Sequence, residues 1–240
     1  MKVVILAGGR GTRFAEETEI RPKPMIPIGE RPILWHIMKI YAAHGFTEFV
    51  ICLGYKGYLI KEFFANYVLH TADVTFDLAA DSVEVHRKQA EPWRVTLVDT
   101  GLDTQTAGRI RRVLPYVGDE PFCLTYGDGV ADVDLGAVTR TFHEAGRAAL
   151  VTAVRTPSRF GSLELDRDRV TAFVEKPLED SWINGGFFVL SPEVASVIDD
   201  DREPFERGPL TRLAEAGQLA AHRHHGFWHP MDTLRDKLYL

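Results

Sequence analysis

The apolar run Val3-Val4-Ile5-Leu6-Ala7 empties into Gly8-Gly9-Arg10-Gly11-Thr12-Arg13, and Arg21-Pro22-Lys23-Pro24-Met25 follows. A glycine-rich turn can aim several backbone N–H groups at one anion and lets that anion approach the chain closely. Arg13 and Lys23 add cations, so the expected ligand is a polyphosphate. A dinucleotide fingerprint fails here. Phe14 stands where the third glycine belongs, and the second strand-like run ends Cys52-Leu53-Gly54-Tyr55 without an acid for a ribose. A Walker loop fails for want of Gly-Lys-Ser/Thr. A nucleoside-triphosphate loop remains, with a plain structural turn as its rival.

Asp128 lies in Tyr126-Gly127-Asp128-Gly129, just past a strand-like run, and open parallel sheets bind ligands at that end. It suits a divalent ion on a phosphate, although Asp-Gly is also common in ordinary turns. Asp232, in Pro230-Met231-Asp232-Thr233, is either the N-cap of a last helix or a second carboxylate. Mg²⁺ is usually held by one or two carboxylates plus phosphate oxygens and water, and the two aspartates together would supply that pair. Glu175-Lys176-Pro177 fits contact with a sugar phosphate or a surface turn. Asn184-Gly185-Gly186 fits hydrogen bonds to sugar hydroxyls or a hairpin turn. His222, His224, His225 and His229 follow no tetrahedral zinc spacing and have no cysteine nearby, so they are expected to be a solvated strand end.

These residues need a frame. Strands are expected over 2–7, 49–53, 95–98, 122–126 and 149–154, each short, apolar and rich in β-branched residues. Between them, helical spacing marks 33–41, 59–68, 104–114 with Pro115 as its end, and 134–146. Residues 8–31 read as a long functional loop and 71–92 as a two-stranded excursion. After 154 the pattern turns antiparallel, over 160–165, 170–175 and 186–190. A helix at 209–216, strands within 219–229 and a short helix near Asp232 close the chain. Strand–helix alternation predicts an α/β fold on a largely parallel sheet, one domain over 1–240.

The formal net charge of −6 gives no electrostatic reason to bind nucleic acid. No apolar stretch reaches the roughly 18–20 residues of a membrane span, and the N-terminal run lacks the features of a signal peptide. A cytoplasmic location is therefore expected. Cys52 and Cys123 sit in strand-like runs and are expected to be buried free thiols, with a disulfide as the weaker reading.

Taken together, the motifs resemble the sugar-phosphate nucleotidyltransferase family, and within it the cytidylyl-transferring branch. The resemblance is carried by Lys23-Pro24-Met25 and by the runs 32–38, 54–58, 64–67, 98–101, 125–132, 183–190 and 226–237, so it covers essentially the whole chain. It implies a Rossmann-like three-layer α/β/α fold with a mixed, mostly parallel central sheet. It also implies a Mg²⁺ requirement, CTP and α-D-glucose 1-phosphate as substrates, and a homo-oligomer. By position, Leu6, Ala7, Gly8, Gly9, Arg10, Gly11, Thr12, Arg13 and Lys23 would bind the triphosphate, and Thr104 and Arg109 would lie near the base. Asp128 and Asp232 would bind Mg²⁺, while Tyr126, Glu175, Lys176, Asn184 and Gly186 would face the sugar phosphate. Arg13, Lys23, Asp128 and Asp232 would carry the catalysis. Arg10, Ala107 and His229 depart from the family's usual apolar residue, glycine and glutamine, and the chain stops short of the usual tail. These departures leave another sugar 1-phosphate, or dTTP or UTP, as alternatives. A silent nucleotide-sugar-binding subunit is a further alternative, and the joint presence of Arg13, Lys23, Asp128, Lys176 and Asp232 argues against it.

Overall fold

The computed structural model describes residues 1–88, 90–156, 162–166, 169–174 and 181–240. Val3–Leu6 (β1) is apolar at every position because both faces of the strand are covered. Val3 and Ile5 enter one core; Val4 and Leu6 enter the other. Glu48–Leu53 (β2), Arg94–Asp99 (β3), Phe122–Tyr126 (β4), Ala149–Val154 (β5), Ile183–Leu190 (β6) and Leu219–Arg223 (β7) join it in one sheet. Their order is β7-β5-β6-β4-β1-β2-β3. β1 pairs parallel with β2 and β4, β2 with β3, and β5 with β7. β6 alone runs against its neighbours, antiparallel to β4 and β5. The sheet is thus mixed and mostly parallel, with helices on both faces, which is the Rossmann-like arrangement expected.

Ile33–Ala43 (α1) buries Ile33, Leu34, Ile37, Met38 and Tyr41 on one face of the sheet, and Gly45 turns the chain away at φ +86°. Gly57–Ala65 (α2) and Leu135–Ala145 (α4) add Ile60, Leu135, Val138 and Phe142 to the same core. On the opposite face lie Thr106–Val117 (α3) and Pro209–Glu215 (α5), through Ala107, Ile110, Val113, Val117 and Leu213. Two helix expectations need correction. Pro115 lies inside α3 and does not end it: the helix runs on until Val117 reaches the core and Gly118 breaks the chain at φ +91°. The stripe over 59–68 splits at Asn66, whose backbone N–H bonds back to Glu62 and Phe64, into α2 and a single turn over Tyr67–Thr71.

The excursion at 71–92 is a hairpin, Ala72–Asp77 against Ser82–Lys88. A second small hairpin pairs Ser162–Asp166 with Arg169–Val174. Cys52 and Cys123 are buried and unbridged, and burial pushes both thiols up to about 12, so neither is poised as a nucleophile. Among the described residues no helix is long and apolar enough to cross a membrane.

Candidate active site

Two strand ends and one short ribbon build the site. β1 and β4 lie side by side with Leu6 opposite Tyr126, so the glycine turn and the Gly127-Asp128-Gly129 turn leave the sheet together. Gly127 is required by this closeness: a Cβ there would lie 2.9 Å from the Leu6 carbonyl. The chain then forms Gly129–Ala131, which pairs antiparallel with Trp228–Pro230, and the Met231 N–H donates to the Asp128 carbonyl at 2.8 Å. That ladder brings Asp232 beside Asp128.

Lys23 completes the group. It starts a 3-10 turn, Lys23–Met25, between Pro22 and Pro24, and its Nζ donates to Asp128 Oδ2 and Asp232 Oδ1 at 2.7 Å each. The lysine side chain is only 11% exposed. Burial by itself would lower its pKa; the attraction and hydrogen bonds of the two carboxylates outweigh this and hold it above the ordinary lysine value. Asp232 is not the cap of the last helix. Thr233 caps Leu234–Tyr239 (α6) in a reciprocal box with Asp236, which leaves the Asp232 carboxylate directed at Lys23.

The three residues lie in a cavity of about 870 Å³. The cavity is also lined by Leu6, Ala7, Gly8, Gly9, Arg10, Gly11, Thr12, Thr104, Arg109, Tyr126, Asn184 and Gly186. Gly9 has open space where a Cβ would stand, as a backbone meant for close contact with a ligand requires. Arg10 reaches across the mouth to Asp103 at 2.9 Å. Arg109 lines the cavity but is itself buried. Its guanidinium donates to the carbonyls of Gly8, Leu53, Gly101 and Leu102 and to Thr100 Oγ1. A Cβ on Gly8 would fall 2.1 Å from that guanidinium, so this glycine serves the brace as much as any ligand. On the far wall, Asn184 Nδ2 donates to the Tyr126 hydroxyl at 3.1 Å, and Gly186, at φ +79°, leaves room for the tyrosine ring. The side chain of Arg13, and Glu175 and Lys176 altogether, lie outside the described residues.

The histidines form no metal centre among the described residues. His222 meets Thr141, His224 meets Asp132, His229 meets Asp236, and His225 packs edge-on to Trp182.

The family model described as Nucleotidyl transferase matches residues 2–230. The chain belongs to the nucleotidyl transferase family. It is 58% identical to glucose-1-phosphate cytidylyltransferase of Salmonella typhi over 243 aligned residues, covering 100% of this chain and 94% of that one. It is 46% identical to a probable glucose-1-phosphate cytidylyltransferase of Bacillus subtilis, covering 99% and 94%. In fold it is similar to HddC from Yersinia pseudotuberculosis, with TM-score 0.70, 22% identity and coverage of 99% and 96%. A putative glucose-1-phosphate thymidylyltransferase from Bacillus anthracis gives TM-score 0.70 at 20% identity, covering 100% and 94%.

The structure of this nucleotidyl transferase chain also shows residues that motif reading missed. Glu206 accepts the Tyr126 hydroxyl at 2.6 Å, and Trp228 Nε1 donates to the Gly185 carbonyl at 2.6 Å. Glu206 sits in an irregular stretch with neither periodicity nor a glycine turn to mark it, so nothing local in the sequence points to it.

Proposed function

We propose that this protein transfers the cytidylyl group of CTP to α-D-glucose 1-phosphate and releases pyrophosphate. The observation that supports the chemistry is the convergence of Lys23, Asp128 and Asp232 in the cavity into which the glycine turn opens. The choice of CTP and glucose 1-phosphate follows the names of the relatives that match this chain end to end.

The carboxylate pair fits a divalent ion. Both acids already share one cation, the Lys23 ammonium, and carboxylate oxygens are the donors that Mg²⁺ prefers. Asp128 and Asp232 would hold it. When bound, such an ion neutralises phosphate charge and fixes the geometry of an in-line displacement.

The rest is the work of the chain's own residues. The phosphate oxygen of the sugar is already an anion, so its attack on the α-phosphorus needs no general base. One O–P bond forms as the bond to the departing pyrophosphate breaks, and no proton moves. The protein's task is positioning and charge neutralisation. The backbone N–H groups of the glycine turn cradle the triphosphate, and Lys23, kept protonated by its two acids, supplies positive charge at the α-phosphate. Arg13 takes the leaving pyrophosphate, for which its planar fork suits two oxygens. Thr104 and Arg109 flank the base, and Tyr126, Asn184, Gly186, Glu175 and Lys176 receive the sugar phosphate.

Pyrophosphate release, measured for CTP, UTP and dTTP against a panel of sugar 1-phosphates, tests this. CTP with α-D-glucose 1-phosphate should be the fastest pair. Faster turnover of another pair would replace the substrate assignment. Binding of CDP-glucose without release from any pair would make the chain a silent subunit. A cytoplasmic homo-oligomer completes the reading. Exposed Phe76, Leu78 and Val83 on the 72–88 hairpin supply apolar surface that supports self-association, which light scattering measures.

A further inference from the structure

Glu206 joins two stretches of the cavity lining. Its Oε1 accepts the Tyr126 hydroxyl at 2.6 Å, and its Oε2 accepts Thr106 Oγ1 at 2.9 Å. Thr106 opens α3, next to Thr104 and Gln105 in the cavity lining, whereas Tyr126 stands in that lining beside Asn184 and Gly186. Glu206 itself is exposed, but the backbone beside it is anchored. The preceding residue, Phe205, is fully buried; its ring packs edge-on to Phe188, and Phe188 packs edge-on to Tyr126. The Phe205 N–H donates to Thr106 Oγ1 at 2.7 Å, and Gln105 N–H donates to the Asp201 carbonyl at 2.8 Å. Asp201 in turn binds Arg111 and Arg112 of α3.

The hydrogen-bond polarity of Tyr126 follows from this. A phenol has one proton to donate, and here it is given to Glu206. One acceptor direction is taken by Asn184 Nδ2. Asn184 Oδ1 is engaged by the Gly186 N–H at 2.8 Å, so the amide is fixed in orientation. What this wall offers a ligand is therefore an oxygen acceptor from Tyr126 and an N–H from Asn184, in a fixed order.

We propose that Glu206 is a positioning residue for sugar selection: by taking the Tyr126 proton it makes the tyrosine an acceptor for a hydroxyl of the sugar 1-phosphate. This rests on the nucleotidyl-transfer reading above. Glu206 contacts no reacting atom and acts through Tyr126.

The test is a double-mutant cycle on steady-state pyrophosphate release, run with the nucleotide and sugar 1-phosphate that the wild type turns over fastest. Glu206→Ala should raise KM for the sugar phosphate by about tenfold, the scale for one hydrogen bond set free, and KM for the nucleotide by less than about threefold. Glu206→Gln, whose amide oxygen still accepts the phenol proton, should recover most of that loss. In a Tyr126→Phe background, Glu206→Ala should cost the sugar KM nothing further. Additive effects, or equal rises in both KM values, would overturn the inference, as would a Gln variant no better than Ala. Thermal melts of each variant keep a folding loss apart from these readouts. No turnover of any pair by the wild type would instead overturn the nucleotidyl-transfer reading, and this inference with it.

Discussion

The Lys23 ammonium is shared by two carboxylates that the sequence holds far apart, and each member of the group depends on the others for its charge balance. Lys23→Ala should cut turnover by on the order of a hundredfold or more, the scale for losing one preorganised electrostatic contact. The same variant leaves Asp128 and Asp232 facing each other without their cation. Mg²⁺ should therefore raise its melting temperature more than it raises that of the wild type, and equal shifts would separate the acid pair from the ion. Asp128→Asn and Asp232→Asn should each abolish metal-dependent product formation, and wild-type activity persisting in EDTA would remove the metal from the reaction. The pH dependence has a definite sign. Lys23 has a raised pKa in the fold, so the stability it contributes is fully present below the unfolded lysine value of about 10.4 and is lost only as pH rises beyond it. Urea unfolding from pH 7 to 9 should show no loss traceable to this group. Legibility at this scale followed locality. Gly127-Asp128-Gly129 and Pro230-Met231-Asp232 are each marked by neighbours in the chain as one of two readings, whereas Glu206 has contacts only with Tyr126 and Thr106, which are distant in sequence.

Arg109 shows how an element holds the site. α3 carries it under the glycine turn, where it gathers carbonyls from the ends of β1, β2 and β3 onto one guanidinium. Burial lowers its pKa from the ordinary value, and the hydrogen bonds are what make the buried cation tolerable. Arg109→Met should destabilise the protein by roughly 2–3 kcal/mol, the upper range for breaking a buried hydrogen-bond network, read as a lower urea midpoint. An unchanged midpoint together with a raised KM for CTP would make Arg109 a ligand residue only. The strands were readable from the sequence because a strand covered on both faces is apolar throughout, as Val3–Leu6 and Phe49–Leu53 are. Helix ends were read less well. A proline is tolerated within α3, where Pro115 sits near the C-terminal end, and Asn66 breaks a continuous apolar stripe by backbone bonds that no periodicity encodes.

Across the whole molecule, the cavity is lined by short stretches as far apart in sequence as Leu6 and Asp232, so a ligand seated in it joins distant parts of the chain. The α/β pattern foretold the sheet and its mostly parallel sense. The antiparallel character expected over 186–190 is that of β6, but its place between β4 and β5 could not be read from its apolar run, because a strand covered on both faces does not name its partners. That reversal sets Asn184 and Gly186 beside Tyr126, in the same cavity lining as the turn that leaves β1. Ligand binding should consequently stabilise the fold as a unit. At a nucleotide concentration of about 100 times its Kd, linkage contributes about 2.7 kcal/mol. For a chain of this size each kcal/mol is worth roughly 2–4 °C. CTP with Mg²⁺ at that ratio should then raise the melting temperature by roughly 5–10 °C in scanning calorimetry, as a single transition. If the acids and the glycine turn act on the same ligand, EDTA should shrink that shift at fixed CTP, and Asp232→Asn should make it insensitive to EDTA. A shift of the same size with and without EDTA in the wild type would mean that CTP is held by the cationic turn alone, and the carboxylate pair would then belong to some other task than binding the nucleotide's ion.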